Sequence, residues 1–274
     1  MNLRGIAQWG LHSGYHRVFS TLLSIVLTLK RRAPILIYRD RDGDWANWQP
    51  QATLYSRTYS SSPLSAIKAD FLDIWCHHRI IRQGDIILDI GAGVGDDVLL
   101  LSRLVGPAGL ICAVEAHPET FRCLIKTIAK NDLKNVIPVH AAVADFNGEL
   151  FIEDNADLHF ANRVSDTGIV KVRAITLETL LTEVHIDRVS LAKMNIEGAE
   201  TAALRGAGSS LDIIDNWVIS CHDFISHVSG YESSATKQDV TSLLRNAGYS
   251  IFMARVDNRP WIPDYVYASR TAIR

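Results

Sequence analysis

The sequence is short of several things, and each shortage removes a class of protein. Its four cysteines, Cys76, Cys112, Cys123 and Cys221, show no metal-ligand or redox spacing. A structural zinc and a disulfide scaffold are therefore disfavoured, and the thiols read as reduced and buried in a cytoplasmic protein. Charge of one sign is lacking too. Against 30 Asp and Glu stand 28 Lys and Arg, a net charge of -2, so electrostatics give no reason to expect nucleic acid as a partner. The apolar stretch at 18–29 is too short to span a bilayer. Basic residues follow it where a secretory signal would carry a small-residue cleavage site. Last, the glycine-rich turn at 91–95 lacks the third glycine of the dinucleotide fingerprint, G-x-G-x-x-G, whose place Asp96 occupies.

What is present fits one large α/β domain with an appendage. The 274 residues are 47% hydrophobic and 21% charged, ordinary values for a globular chain. The organising stretch is 86–97, Ile-Ile-Leu-Asp-Ile-Gly-Ala-Gly-Val-Gly-Asp-Asp. An isoleucine-rich run reads as a strand buried on both faces. Gly91, Gly93 and Gly95 let the chain turn and let a ligand lie on bare backbone. The helix that follows offers unpaired N–H groups. Asp96 and Asp97 place negative charge where a pyrophosphate would sit, and that favours a ligand with positive charge and no phosphate. S-adenosylmethionine, with a sulfonium and an ammonium, is such a ligand. Asp89 and one of Asp96 and Asp97 are candidates to hold its amino group, with Gly91, Ala92 and Gly93 beneath it.

Strands and helices alternate through the centre of the chain. Strands are predicted at 85–90, 110–114, 136–140, 149–153, 169–174, 191–194 and 217–220, with helices at 95–104, 118–131 and 176–183. Such spacing implies a parallel sheet with right-handed crossovers. A helix ending at Gly248 and strands 249–253 and 265–269 suggest a closing antiparallel pair. Before residue 64 the pattern differs. A hairpin is predicted over 34–49, turning at Asp42-Gly43, then a loop at 59–63 in which Ser62 caps a helix with Pro63 in its first position. That helix is expected to run to about Gly84. The boundaries that follow are 1–63 for an N-terminal extension and 64–274 for the main domain. Residues 18–29 read as an amphipathic helix packed on the domain, with weak membrane-surface contact through 17–32 as the lesser reading. Residues 154–168 form a long polar segment of the kind that carries function or disorder.

In open parallel sheets, ligands gather at the carboxyl ends of the strands. Glu115 ends the second strand 24 positions after Gly91 and is placed to grip both ribose hydroxyls, or to cap the helix that begins at Pro118. Ala116 would meet the adenine face, and the loop Ala142-Val143-Ala144-Asp145 would offer backbone N–H groups and a carboxylate to the adenine edge. Asn195 and Glu197 face the reaction zone or cap the next helix. His222, at the end of the fifth strand, is the candidate general base, with Glu197 as the alternative.

Several of these segments together resemble the FkbM-type methyltransferases. The chain has Asp89-Ile90-Gly91-Ala92-Gly93-Val94-Gly95, then Glu115-Ala116-His117-Pro118, and the late run Lys193-Met194-Asn195-Ile196-Glu197-Gly198-Ala199-Glu200. Ile175-Thr176-Leu177-Glu178 is also similar to a family segment. The likeness covers about residues 65–270. It implies a Rossmann-like class I methyltransferase fold, a mostly parallel seven-stranded sheet with an antiparallel final strand. It further implies transfer of methyl from S-adenosylmethionine to a hydroxyl of a sugar, glycolipid or polyketide-type acceptor. Two positions depart from the pattern: Asn195 stands where the family usually has Asp, and Ser220 where an acid is common. A small-molecule or glycan acceptor is the expected partner, with an oligomer left open. No metal is demanded by spacing, although Glu197, His222 and Asp223 could in principle gather around a divalent cation. A nicotinamide oxidoreductase and a catalytically weakened cofactor-binding module are the alternatives.

Overall fold

The computed structural model describes residues 15–154, 164, 168–226, 234–254 and 258–270. In chain order the elements are α1 (His16–Arg31), β1 (Leu36–Arg39), β2 (Trp45–Gln49), β3 (Ala52–Ser56), α2 (Leu64–Ile74), β4 (Ile86–Ile90), α3 (Asp96–Val105), β5 (Leu110–Glu115), α4 (Pro118–Lys130), β6 (Val136–His140), β7 (Ala142–Val143), β8 (Gly148–Ile152), β9 (Val170–Ile175), α5 (Leu177–Glu183), β10 (Leu191–Met194), α6 (Glu200–Arg205), β11 (Asn216–Ser220), α7 (Lys237–Asn246), β12 (Ser250–Met253) and β13 (Tyr265–Ser269).

Seven strands make the main sheet in the order β12-β13-β11-β10-β4-β5-β6. The five strands from β11 to β6 pair in parallel, and β13 runs antiparallel to both β11 and β12. The expected α/β architecture, closing strand included, is the one found. Side chains alternate across the sheet as strand geometry requires. Leu88, Ile90, Cys112, Val114, Ala192 and Met194 face a core shared with α5, α6 and α7. Ile87, Ile111, Leu191 and Val218 face a second core with α2 and α3. The crossovers leave β4 on one side toward β5 and on the other toward β10, so the strand order reverses beside β4. Ligand crevices form at such a reversal.

The small sheets differ from the sequence expectations. Residues 36–56 are a three-stranded antiparallel sheet, since Ala52–Ser56 adds a third strand to the predicted hairpin. Both of its edges are closed by helix side chains, which keeps unpaired backbone from seeking another strand. On one edge, Ile37 N and Ile35 N donate to Ser24 Oγ (2.9 Å) and Thr28 Oγ1 (3.0 Å) of α1. On the other, Thr53 N and Tyr55 N donate to Asn131 Oδ1 (2.9 Å) and Thr127 Oγ1 (3.1 Å) at the end of α4. Ala142 and Val143, expected in a loop, form a short strand in a second three-stranded sheet, β7-β9-β8. The helix after the linker is shorter than expected. Pro63 is extended (φ -74°, ψ 142°) and outside α2, no side chain caps it, and the helix stops at Ile74. Most of the polar segment 154–168 lies outside the described residues.

Candidate active site

A cavity of about 320 Å³ opens at the carboxyl ends of β4, β5 and β10, within the range of small-molecule sites. Two turns meet to form it. Gly91 has φ +78°, and a Cβ there would lie 2.0 Å from the Asn195 carbonyl oxygen. Only glycine lets the β4 turn press so closely on the β10 turn. Asn195 N donates to Ile90 O (2.9 Å) and Gly91 N to Val114 O (2.9 Å), which stitches the three strand ends together. Glu115 is held by backbone. Its Oε2 accepts from Gly93 N (2.9 Å) and its Oε1 from His117 N (2.8 Å). It therefore braces the start of α4 while lining the cavity.

Of the residues expected to bind cofactor, Gly91, Ala92, Gly93, Asp97, Glu115, Ala116, Ala142 and Val143 line the cavity, as do Asn195 and Glu197. Three expected residues do not line it. Asp145 is exposed to solvent beyond β7. Asp89 is fully buried, and its Oδ1 accepts from Lys193 Nζ (2.7 Å). The two are cross-strand partners in the β4–β10 register. Asp89 thus acts on the cavity through Lys193, whose ammonium also lies 3.3 Å from Asp97 and 4.6 Å from the centre of the Trp75 ring. Burial opposes the Lys193 charge, but Asp89 and Asp97 outweigh it and raise its pKa. Burial, only partly offset by Lys193, pushes both Asp89 and Asp97 up to about 6.

His222 is the third, and both of its ring nitrogens face carboxylates, which argues against a role as general base. Its Nδ1 lies 2.9 Å from Glu200 Oε1 and its Nε2 lies 3.3 Å from Glu197 Oε1. Burial disfavours the charge, but hydrogen bonds to Glu197 and Glu200 override it and push the imidazole up to about 10. An imidazolium at neutral pH has no lone pair with which to accept a proton. Because the folded value is raised above 6.5, the stability it contributes is present below that pH and is lost as pH rises toward 10. Glu200, fully buried, fixes this arrangement, accepting also from Gly198 N (3.1 Å) and Thr236 Oγ1 (2.9 Å). Glu197 has φ +53°, a conformation uncommon for a residue with a side chain, and its carboxylate faces the cavity. The capping alternative fails for Asn195 and Glu197, since α6 begins at Glu200 with Ala199 as its cap.

No set of three His, Cys, Asp or Glu side chains is grouped to hold a metal ion among the described residues. Asp223 is engaged by backbone, its Oδ2 accepting from Thr236 N and Lys237 N (both 3.0 Å). Among the described lining residues four are acids, Asp96, Asp97, Glu115 and Glu197, against one ammonium, that of Lys193. Three other lining residues, Asn195, His117 and Thr120, hold buried polar atoms (Oδ1, Nδ1 and Oγ1) with no protein partner. Such orphans are costly unless a ligand satisfies them. A cationic, hydroxyl-rich molecule such as S-adenosylmethionine fits this donor and acceptor set.

Sequence reasoning missed Lys193, His117, Thr120 and Glu200. The signal for Lys193 was available: a lone cation inside the apolar run of β10. It also missed Arg57, which follows β3 and ties the N-terminal sheet to the cavity rim. Arg57 reaches Asp154 (2.8 Å) and Glu119, and lies 3.4 Å from His117.

The profile of the family described as Methyltransferase FkbM domain matches residues 89–251. Hexuronic acid methyltransferase AglP of Haloferax volcanii is 20% identical over 177 residues, covering 64% of this chain and 68% of its own. Methyltransferase 1 of Beauveria bassiana is 28% identical over 205 residues, 65% of this chain and 76% of that protein. Among solved structures, methyltransferase FkbM from Methylobacillus flagellatus aligns with a TM-score of 0.47 and 16% identity, over 67% of this chain and 43% of that one. Aeropyrum pernix fibrillarin with bound S-adenosyl-L-methionine aligns at 0.49 and 15% identity, over 85% and 92%.

Proposed function

The chain belongs to the FkbM methyltransferase family, and from that footing we propose that it methylates a hydroxyl group of a sugar, glycolipid or polyketide-type small molecule. It is a methyltransferase that uses S-adenosylmethionine, which displaces the nicotinamide alternative. When bound, this cofactor supplies an electrophilic methyl on a sulfonium. In our reading the protein's own residues do the rest. Glu115 accepts from the ribose hydroxyls, and Asp97 and Asn195 receive the cationic end. Ala116, Ala142 and Val143 give the adenine an apolar seat. Methyl transfer is an in-line displacement, so holding the acceptor oxygen within near-attack distance supplies much of the acceleration.

The observation that carries the hydroxyl assignment is Glu197, a cavity-wall carboxylate with a buried imidazolium directly behind it. A hydroxyl must lose its proton as it is methylated, and Glu197 is the group placed to take it. His222 then acts as a positioning residue, holding Glu197 by charge. Asn195, uncharged where the family usually has an acid, leaves Glu197 to accept the proton. The hexuronic acid methyltransferase relative supports a sugar acceptor. The test is product analysis with isolated hexuronic acids and neutral sugars. S-adenosylhomocysteine is expected to accumulate only when acceptor is present, with the new methyl on oxygen. Methyl found on nitrogen or carbon would overturn the reading.

A further inference from the structure

Helix α1 carries apolar residues on two faces, one more than a helix that merely covers a sheet needs. Its inner face packs Leu27, with Phe19 and Leu23, against Ile35, Ile37 and Trp45, and buries Ser20 and Ser24, whose hydroxyls serve the backbone. Ser24 bonds the edge of β1 and Ser20 Oγ donates to Arg17 O. A second set of apolar residues lies outside. Val18, Leu22, Ile25, Val26 and Leu29 are each more than half exposed and share one stripe along the helix. Monomeric proteins rarely leave so continuous an apolar surface without a use for it.

The charges around the stripe identify its occupant. Residues 1–39 contain six Lys and Arg and no Asp or Glu, although the chain as a whole is slightly acidic. Arg17 stands at one end of α1, and Lys30, Arg31 and Arg32 at the other. A protein partner would need both an apolar groove and acid rims at both ends. An anionic membrane surface supplies both at once: acyl chains for the stripe and headgroups for the cations. At 16 residues α1 is too short to cross a bilayer, and no described helix is long and apolar enough to do so. A helix with an apolar face, basic ends and this length lies in the plane of the interface.

We propose that α1 is a membrane-surface anchor, seating the chain on anionic lipid through Val18, Leu22, Ile25, Val26 and Leu29, with Arg17, Lys30, Arg31 and Arg32 on the headgroups. The anchor is joined to the cavity rim through the small sheet and Arg57. This proposal is independent of which acceptor is methylated.

The test is flotation of the full chain with phosphatidylcholine vesicles containing or lacking phosphatidylglycerol. The chain is expected to float with the anionic vesicles, with at least a tenfold lower bound fraction on neutral ones and after raising the salt. Leu22→Glu/Leu29→Glu, on the exposed stripe, is expected to reduce binding at least tenfold while leaving the circular dichroism spectrum and cofactor affinity unchanged. Absence of flotation, or flotation indifferent to those substitutions, overturns the proposal. So does sedimentation showing a dimer that the same substitutions dissolve, since a second copy would then be the occupant.

Discussion

Lys193→Met is expected to destabilise the fold by about 3–5 kcal/mol, read from chemical unfolding. The substitution keeps the length of the side chain and the packing against Trp75, and removes the one ammonium that faces Asp89 and Asp97. Asp89 has no exposure to water and one oxygen, Oδ2, already without a partner. Losing the lysine strands a buried charge, and that penalty exceeds the net worth of the pair itself. Two further outcomes follow from the same cause. Asp89→Asn combined with Lys193→Met should recover most of the loss, because no charge is then stranded. The deficit of the single variant should also shrink as pH falls toward about 6, because without Lys193 burial raises Asp89 and Asp97 further and they take up protons sooner than in the parent. Here the raised values mean that protonation favours the folded state as pH falls. A loss under about 1 kcal/mol, or one not relieved by the second substitution, would show that the pair is not what holds the β4 and β10 ends together.

Glu197→Gln is expected to lower kcat by about 10²–10⁴ with cofactor affinity nearly unchanged. The amide retains the shape of the side chain and cannot accept the acceptor's proton. His222→Asn makes the contrasting case. That substitution leaves Glu197 in place without the ring that positions it, so turnover should fall less, by about tenfold. If His222→Asn lowered kcat a hundredfold or more and Glu197→Gln left it within threefold of the parent, the roles assigned to the two residues would have to be exchanged.

The sheet was legible in the sequence because its strands are apolar runs that end at turn residues. β4, β5, β6, β10 and β11 fall within a residue of their expected positions. The glycine turn was legible for a related reason: positive φ and close backbone approach leave a residue-type mark at fixed spacing. What could not be read were pairings made across long sequence distance. Asp89 looks like a ligand-binding acid until Lys193, 104 residues later, is placed on the neighbouring strand. His222 looks like a base until Glu197 and Glu200 are found on both of its nitrogens, a charge environment no local pattern records. β3 was missed because its outer partner is a set of side chains on α4, so nothing in its own sequence marks it as half of a hairpin. Ala142 and Val143 were read as loop because two residues are too few for any alternation to be seen.

The crowding of Asp96, Asp97, Glu115 and Glu197 around one cavity is the physical reason a cationic cofactor is favoured there. The most direct measurement is calorimetric titration of the full chain with S-adenosylmethionine and, separately, with NAD, at about pH 7.5 and about pH 5. One-site binding of S-adenosylmethionine is predicted at the higher pH, weakening about tenfold at the lower as Asp97, raised to about 6, becomes protonated. NAD is predicted not to bind at either. Binding of NAD with no binding of S-adenosylmethionine, or an S-adenosylmethionine affinity indifferent to pH across this range, would contradict it.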